Sequence, residues 1–181
     1  MNPEKKHMKI LLMFVLMSAC AGTSTSTRLD PAAVDGIARL QSATRAFQSL
    51  DSAVAAGYAA NVRDCLVHEH HGAMGYHHVN RSYVDAKAEV ERPEILLYER
   101  AADGKARLNG VEYIVPYAAW SRDSAPPVLM GQKLKREDNL NIWYLHVWAW
   151  NENPDGVFAD YHPRVTCPDN ARRVFMTFER R

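Results

Sequence analysis

The chain has 181 residues, of which 47% are hydrophobic, so it is long enough for one domain with a single core. Its 22 basic and 21 acidic residues almost cancel, and the formal net charge is +1. This balance argues against a nucleic-acid-binding protein, which would need a strongly basic face.

The first residues have the layout of a secretory signal peptide. A basic start precedes an apolar run over 10–17, which is shorter than the ~20 residues that a membrane-spanning helix needs. Two small residues then lead into Cys20. The pattern predicts a signal peptide over 1–19 and resembles a bacterial lipoprotein signal, in which Cys20 carries the lipid. Cleavage at Ala19 or Ala21 without lipidation is the alternative.

Lipidation of Cys20 would make a membrane the partner of the N-terminus. One acyl chain binds a membrane only marginally, whereas the triacylated end of a bacterial lipoprotein is a stable anchor. We therefore expect an exported protein of the bacterial cell envelope, on the periplasmic side of the outer membrane in a Gram-negative organism. Residues 20–29 are small and polar, which predicts the lipidated cysteine and a flexible tether, followed by one globular domain over 30–181.

The other two cysteines are Cys65 and Cys167. Oxidising compartments favour disulfides, so export predicts a bridge between these two residues. The alternative is a pair of separate buried thiols.

The first folded element is a helix that begins at Asp30-Pro31. Asp30 suits the N-cap and Pro31 the first helical position. Apolar residues then recur mostly at three- and four-residue steps, which predicts one long helix ending near Gly57. Its predicted buried stripe consists of Val34, Ile37, Leu40, Phe47, Leu50 and Val54.

Short apolar or aromatic runs separated by turn signals predict strands at 76–79, 95–98, 111–115, 142–150 and 174–178. Turns at Asp103-Gly104 and Asn109-Gly110 predict a hairpin of 93–99 with 111–115, and 121–139 is expected to be an exposed loop. These elements predict an α+β fold, a long N-terminal helix packed on a curled antiparallel sheet of four to five strands. A small, partly open β-barrel with an external helix is the alternative.

Histidine is concentrated between residues 68 and 78. The sequence HEHH at 68–71 contributes His68, His70 and His71, a weak candidate for a metal cluster because its spacing matches no established metal motif. A solvated His-rich loop is the alternative explanation.

Histidines within predicted strands are more specific candidates. Strand alternation places Tyr144, His146, Trp148 and Trp150 on one face of 142–150, and the apolar residues between them on the face toward the helix. If the sheet curls, His77, Glu112 and His146 converge on its concave side, with Trp148 and Tyr144 as a pocket wall. Two imidazoles and a carboxylate suit a divalent transition metal such as Zn²⁺, Cu²⁺ or Ni²⁺, or general acid–base chemistry.

Several segments resemble those of a family of uncharacterised bacterial exported proteins and lipoproteins. They include GAMGYHHVN at 72–80, PEILLYER at 93–100, GVEYIVP at 110–116 and LHVWAWNENPDGVFADYHPRVTCP at 145–168. The resemblance implies an exported, disulfide-containing single domain and brings no known catalytic residue. It also implies that His77, Glu112 and His146 belong to recurring segments, whereas HEHH is a local addition.

These observations predict an envelope lipoprotein whose domain binds a small ligand or a divalent metal through the His/Glu group. An envelope enzyme that uses the same group as acid and base is one alternative, and a structural or interaction lipoprotein with exposed aromatic residues is another. The sequence does not indicate the oligomeric state.

Mass spectrometry of the mature N-terminus tests the lipoprotein prediction. We expect the first mature residue to be Cys20 and to carry the mass of its acyl chains. A mature chain that starts elsewhere, or that starts at Cys20 without lipid, would contradict it.

Overall fold

A computed structural model describes residues 29–59, 64–101, 103–168 and 172–175. The predicted signal peptide, the lipid site at Cys20 and nearly all of the predicted tether lie outside these residues. Within them, no helix combines the length and the apolar character that crossing a membrane requires.

The N-terminal helical region begins as predicted. In α1 (Pro31–Thr44) the Asp30 side chain accepts a hydrogen bond from the Ala32 backbone N–H at 2.7 Å. The helix continues into a 3₁₀ turn over Arg45–Gln48, giving 18 residues in all. The extended backbone of Ser49 then separates it from a second helix, α2 (Leu50–Ala55). The predicted single helix is therefore interrupted near its end.

The buried face of α1 differs from the predicted stripe. Leu40 is fully buried as predicted, but Val34 is exposed, and the small residues Ala33 and Gly36 are buried instead. Val54, which the stripe also included, lies in α2 and is exposed. A methyl group on Gly36 would collide with the Met130 side chain. The helix therefore turns its smallest residues toward 128–134, because they permit a close approach.

The strands of the described residues are β1 (Asp64–His68), β2 (Gly72–Val79), β3 (Ile95–Arg100), β4 (Ala106–Pro116), β5 (Val128–Leu129), β6 (Gln132–Lys133), β7 (Lys135–Glu137), β8 (Ile142–Val147) and β9 (Arg172–Phe175). Strands β5 and β6 form a separate pair, and the other seven form the main sheet in the order β7-β8-β4-β3-β2-β1-β9, which curls into a half-barrel. All neighbouring strands of the main sheet are antiparallel except β1 and β9, which are parallel. The α+β class is confirmed, but the prediction of four or five antiparallel strands is wrong, because the sheet has seven strands and is mixed.

The predicted hairpin of 93–99 with 111–115 is confirmed as β3 and β4, but Asn109-Gly110 is not its turn. Leu97 pairs with Gly110 and Tyr98 with Leu108, so Asn109 is the extra residue of a β-bulge inside β4. The backbone carbonyl of Asn109 accepts hydrogen bonds from the N–H groups of residues 150 and 151, and this holds the chain after β8 against the bulge.

The segment 121–139 is only partly the exposed loop that was predicted. It contains β5, β6 and β7, and Met130 and Leu134 are buried in the core. These two apolar side chains fill the space between α1 and the sheet. Because they are buried there, the charged segment forms short strands.

Each face of the sheet carries its own hydrophobic cluster. The cluster on the helix side includes Leu40, Leu96, Val111 and Leu145. The cluster on the other side includes Leu97, Trp148 and the two bridged cysteines. A disulfide joins Cys65 in β1 to Cys167, so the predicted bridge is confirmed. It fixes the long segment after β8 across the second face.

Replacing Cys65 and Cys167 together by Ala should destabilise the protein substantially. The bridge spans a sequence separation of 102 residues, and the chain-entropy model gives about 4.7 kcal/mol for a loop of that size. Urea unfolding of the oxidised protein, the reduced protein and the double variant would measure this difference. Equal unfolding midpoints for all three would contradict it.

Candidate metal centre

The side chains of His77, Glu112 and His146 meet on the face of the sheet that is turned away from α1. Glu112 in β4 and His146 in β8 are direct cross-strand partners. His77 lies on β2 opposite Leu97 of β3, and Leu97 belongs to the cluster of that same face. The curl of the sheet lets His77 reach across β3 to Glu112.

The geometry brings one donor atom of each residue close to the other two. His77 Nε2 lies 3.2 Å from Glu112 Oε2, and His146 Nε2 lies 3.7 Å from the same oxygen. All three donor atoms lie within 4.8 Å of one another. Two imidazole nitrogens and one carboxylate oxygen thus face a common point.

The group is deeply buried and incompletely hydrogen bonded. The exposed fraction of the side chain is 0% for His146, 9% for Glu112 and 12% for His77. Within the described part of the chain, neither ring nitrogen of His146 has a hydrogen-bond partner, and His77 Nδ1 also lacks one. Leaving a buried polar atom unsatisfied costs about 1–3 kcal/mol, so this arrangement needs an explanation.

Asp160 lies on the other side of the His146 ring. Its Oδ1 is 3.7 Å from His146 Nδ1, longer than a hydrogen bond, and 2.6 Å from the Nζ of Lys135. Lys135 also donates to the Phe158 carbonyl at 3.2 Å. Basic and acidic side chains therefore alternate along a row, in the order Lys135, Asp160, His146, Glu112 and His77.

Neighbouring groups keep both carboxylates ionised despite their burial. Burial raises the pKa of Glu112, but the interactions of its carboxylate with the imidazoles of His146 and His77 outweigh it and hold the pKa below its usual range. Burial also raises the pKa of Asp160, but His146 and Lys135 outweigh this effect and lower the pKa to about 2. The centre therefore presents two negative charges at neutral pH.

Aromatic rings line the centre. The Tyr144 ring meets that of His146 edge-on at 5.5 Å, and the Trp148 ring lies nearly parallel to it at 6.5 Å. Both residues are almost completely buried, and the Trp148 indole N–H donates to the Ala159 carbonyl at 2.7 Å. They therefore fill the space beside His146.

Trp150 does not share this face, although the strand alternation placed it there. β8 ends at Val147, and beyond that residue the alternation no longer applies. The Trp150 indole N–H instead donates to the Thr44 hydroxyl of α1, on the helix side of the sheet.

The histidines at 68–71 lie at the end of the β1–β2 hairpin. Among the described residues they form no comparable group with a carboxylate. The rings of His68 and His71 are 4.4 Å apart, and that of His68 also contacts the Tyr161 ring at 4.9 Å. His68 Nδ1 accepts a hydrogen bond from the His70 backbone N–H, so one of its donor atoms is already used. His70 is largely exposed.

Sequence reasoning missed Asp160 and Lys135. Asp160 lies in an irregular segment after β8, and Lys135 lies in the three-residue edge strand β7, so neither belongs to a pattern with a strand period. The one signal available was the position of Asp160 within the segment 145–168 that carries the family resemblance.

Comparisons with protein-family models, with curated proteins and with solved structures find no match to this chain.

Another buried carboxyl group, Glu94, lies just before β3. It is only 1% exposed, and its Oε2 accepts a hydrogen bond from the Ile114 backbone N–H at 3.1 Å. Burial raises its pKa to about 8, because the ionised carboxylate would lose its hydration there. Glu94 therefore holds its proton at neutral pH.

Glu94→Gln should stabilise the protein at alkaline pH and change its stability little near pH 4. Between pH 4.5 and 8 the folded state keeps a proton that the unfolded state releases, so the wild type loses stability as pH rises through this range. At about 1.4 kcal/mol per pKa unit, the gain at pH 9 is on the order of a few kcal/mol. Denaturant unfolding at pH 4, 7 and 9 would measure it, and a gain that does not grow with pH would contradict the assignment.

Proposed function

We propose that this protein binds a divalent transition-metal ion through His77, Glu112 and His146. The observation that carries the proposal is the fully buried imidazole of His146, whose Nε2 has no hydrogen-bond partner in the described residues and faces the carboxylate of Glu112. A metal ion at the common point of the three donors would satisfy that nitrogen and compensate the buried negative charge.

The donor set determines which ions fit. Imidazole nitrogen suits Zn²⁺, Cu²⁺ and Ni²⁺, whereas Mg²⁺ and Ca²⁺ prefer sites made of oxygen ligands. Three protein ligands also leave one or more coordination positions for water or a small exogenous ligand.

Burial favours an ion over an organic ligand. His146 is inaccessible, Glu112 and His77 are nearly so, and Tyr144 and Trp148 occupy the volume beside them. The metal version of the predicted binding function therefore has more support than the small-ligand version.

The proposed setting is the bacterial cell envelope, where a lipid on Cys20 would tether the domain. The support for this part is the signal-like N-terminus and the resemblance to exported proteins. The Cys65–Cys167 bridge is consistent with it, because disulfides persist in oxidising compartments.

Isothermal titration calorimetry of the metal-stripped full protein would test the proposal. We expect one site for Zn²⁺, Cu²⁺ or Ni²⁺ and no comparable heat with Mg²⁺. His77→Ala and His146→Ala should each weaken binding by more than about 100-fold, because loss of a ligand exceeds the 10- to 100-fold effect of outer-sphere partners.

His70→Ala is the matched control, because His70 is an exposed histidine of the 68–71 group. It should retain the wild-type affinity. Loss of binding in His70→Ala with unchanged affinity in His77→Ala would move the site to the hairpin end and overturn the proposal. Absence of binding by all three transition metals would also overturn it.

A further inference from the structure

We propose that Asp160 is a positioning residue of the metal centre: it holds the proton of His146 on Nδ1, so that Nε2 is free to bind the ion. This inference rests on the proposed metal function and adds to it a fourth residue that does not touch the metal. It also assigns a role to Lys135, which holds Asp160.

The position of Asp160 excludes it as a ligand of the same ion. His146 Nε2 faces Glu112, whereas Nδ1 faces Asp160 at 3.7 Å. The two nitrogens of an imidazole ring point in widely different directions, so an ion bound to one of them is remote from a group that faces the other. Asp160 can therefore act on the metal only through the ring.

A neutral imidazole carries one proton, and the two carboxylates compete for it. If the proton were on Nε2, it would point at Glu112 and occupy the lone pair that the metal needs. A carboxylate facing Nδ1 draws the proton to the other side of the ring. Metal-binding histidines commonly donate their second N–H to a carboxylate, which fixes the tautomer and the ring orientation.

Asp160 is itself held in place by groups outside the metal centre. Lys135 Nζ contacts its Oδ1 at 2.6 Å and is fixed in turn by the Phe158 carbonyl. The same oxygen faces both Lys135 and His146 Nδ1, so the lysine competes with the imidazole for it. On metal binding, the 3.7 Å separation between His146 Nδ1 and Asp160 Oδ1 would shorten to a hydrogen bond. Lys135, Asp160, His146 and the metal ion would then form one connected series of contacts.

Asp160→Asn tests the inference with Zn²⁺ as the probe. An amide of the same shape can donate its N–H₂ to Nδ1 and so favours the tautomer with the proton on Nε2. We expect Zn²⁺ affinity to fall 10- to 100-fold, and Asp160→Glu to restore part of it. Asp138→Asn is the control, because Asp138 also pairs with basic side chains but on the surface, and it should bind Zn²⁺ as the wild type does.

The tautomer provides a readout that a merely structural role would not change. In ¹⁵N-resolved NMR of the metal-free protein at pH 8.5, His146 should carry its proton on Nδ1 in the wild type and on Nε2 in Asp160→Asn. Unchanged tautomer and unchanged Zn²⁺ affinity in a folded Asp160→Asn protein would overturn the inference and leave the metal site standing. A wild type that does not bind Zn²⁺, Cu²⁺ or Ni²⁺ would instead refute the proposed function.

The tautomer of the wild type keeps the inference testable if Asp160→Asn does not fold. Asp160 facing Nδ1 requires the proton of the metal-free His146 ring to lie on Nδ1. A wild-type protein whose His146 carries this proton on Nε2 would overturn the inference and leave the metal site standing.

Discussion

The pairing register of β4 with β8 is the constraint on which both the core and the candidate metal centre depend. Side chains alternate between the two faces of a sheet, so a slip of one residue would exchange the faces of every side chain in a strand. The observed register pairs Val111 with Val147 and Tyr113 with Leu145 on the helix side. It places Glu112 opposite His146 on the other side. The same burial of apolar side chains that fixes the core therefore also fixes the distance between two polar ones.

The candidate metal centre costs the protein free energy of folding when no ion is bound. The free energy that hydrophobic burial supplies on the helix side has to offset the desolvation of two carboxylates and two imidazoles on the other. Lys135 and the imidazoles reduce this cost by pairing with the carboxylates, but His146 gains no full hydrogen bond. An apolar residue in place of His146 would cost less free energy of desolvation. The presence of a histidine there therefore points to a role other than stability.

The sequence predicted those features that follow from periodicity. Strand alternation identified His77, Glu112 and His146 as candidates, because each lies in a regular strand. Periodicity could not indicate that Ser49 interrupts the helix or that Asn109-Gly110 forms a bulge, since the same residue types also make turns and caps.

The features that were missed depend on tertiary contacts. Asp160 approaches His146 only because the disulfide and the irregular chain after β8 fold back across the second face. The short strands β5 to β7 form where buried residues such as Met130 and Leu134 meet the helix, and each strand is too short to show a period of its own. Local sequence contains neither kind of information.

The bulge at Asn109 shifts by one residue the alternation of β4 side chains between the two faces of the sheet. Leu108 and Val111 both belong to the helix-side cluster although they are three positions apart, an odd spacing that a regular strand would place on opposite faces. If β4 were a regular strand without the bulge, the alternation that starts at Leu108 would carry Glu112 into the apolar core. The bulge takes up the extra residue, so the segments on both sides of Asn109 contribute to the hydrophobic core while Glu112 stays on the opposite side.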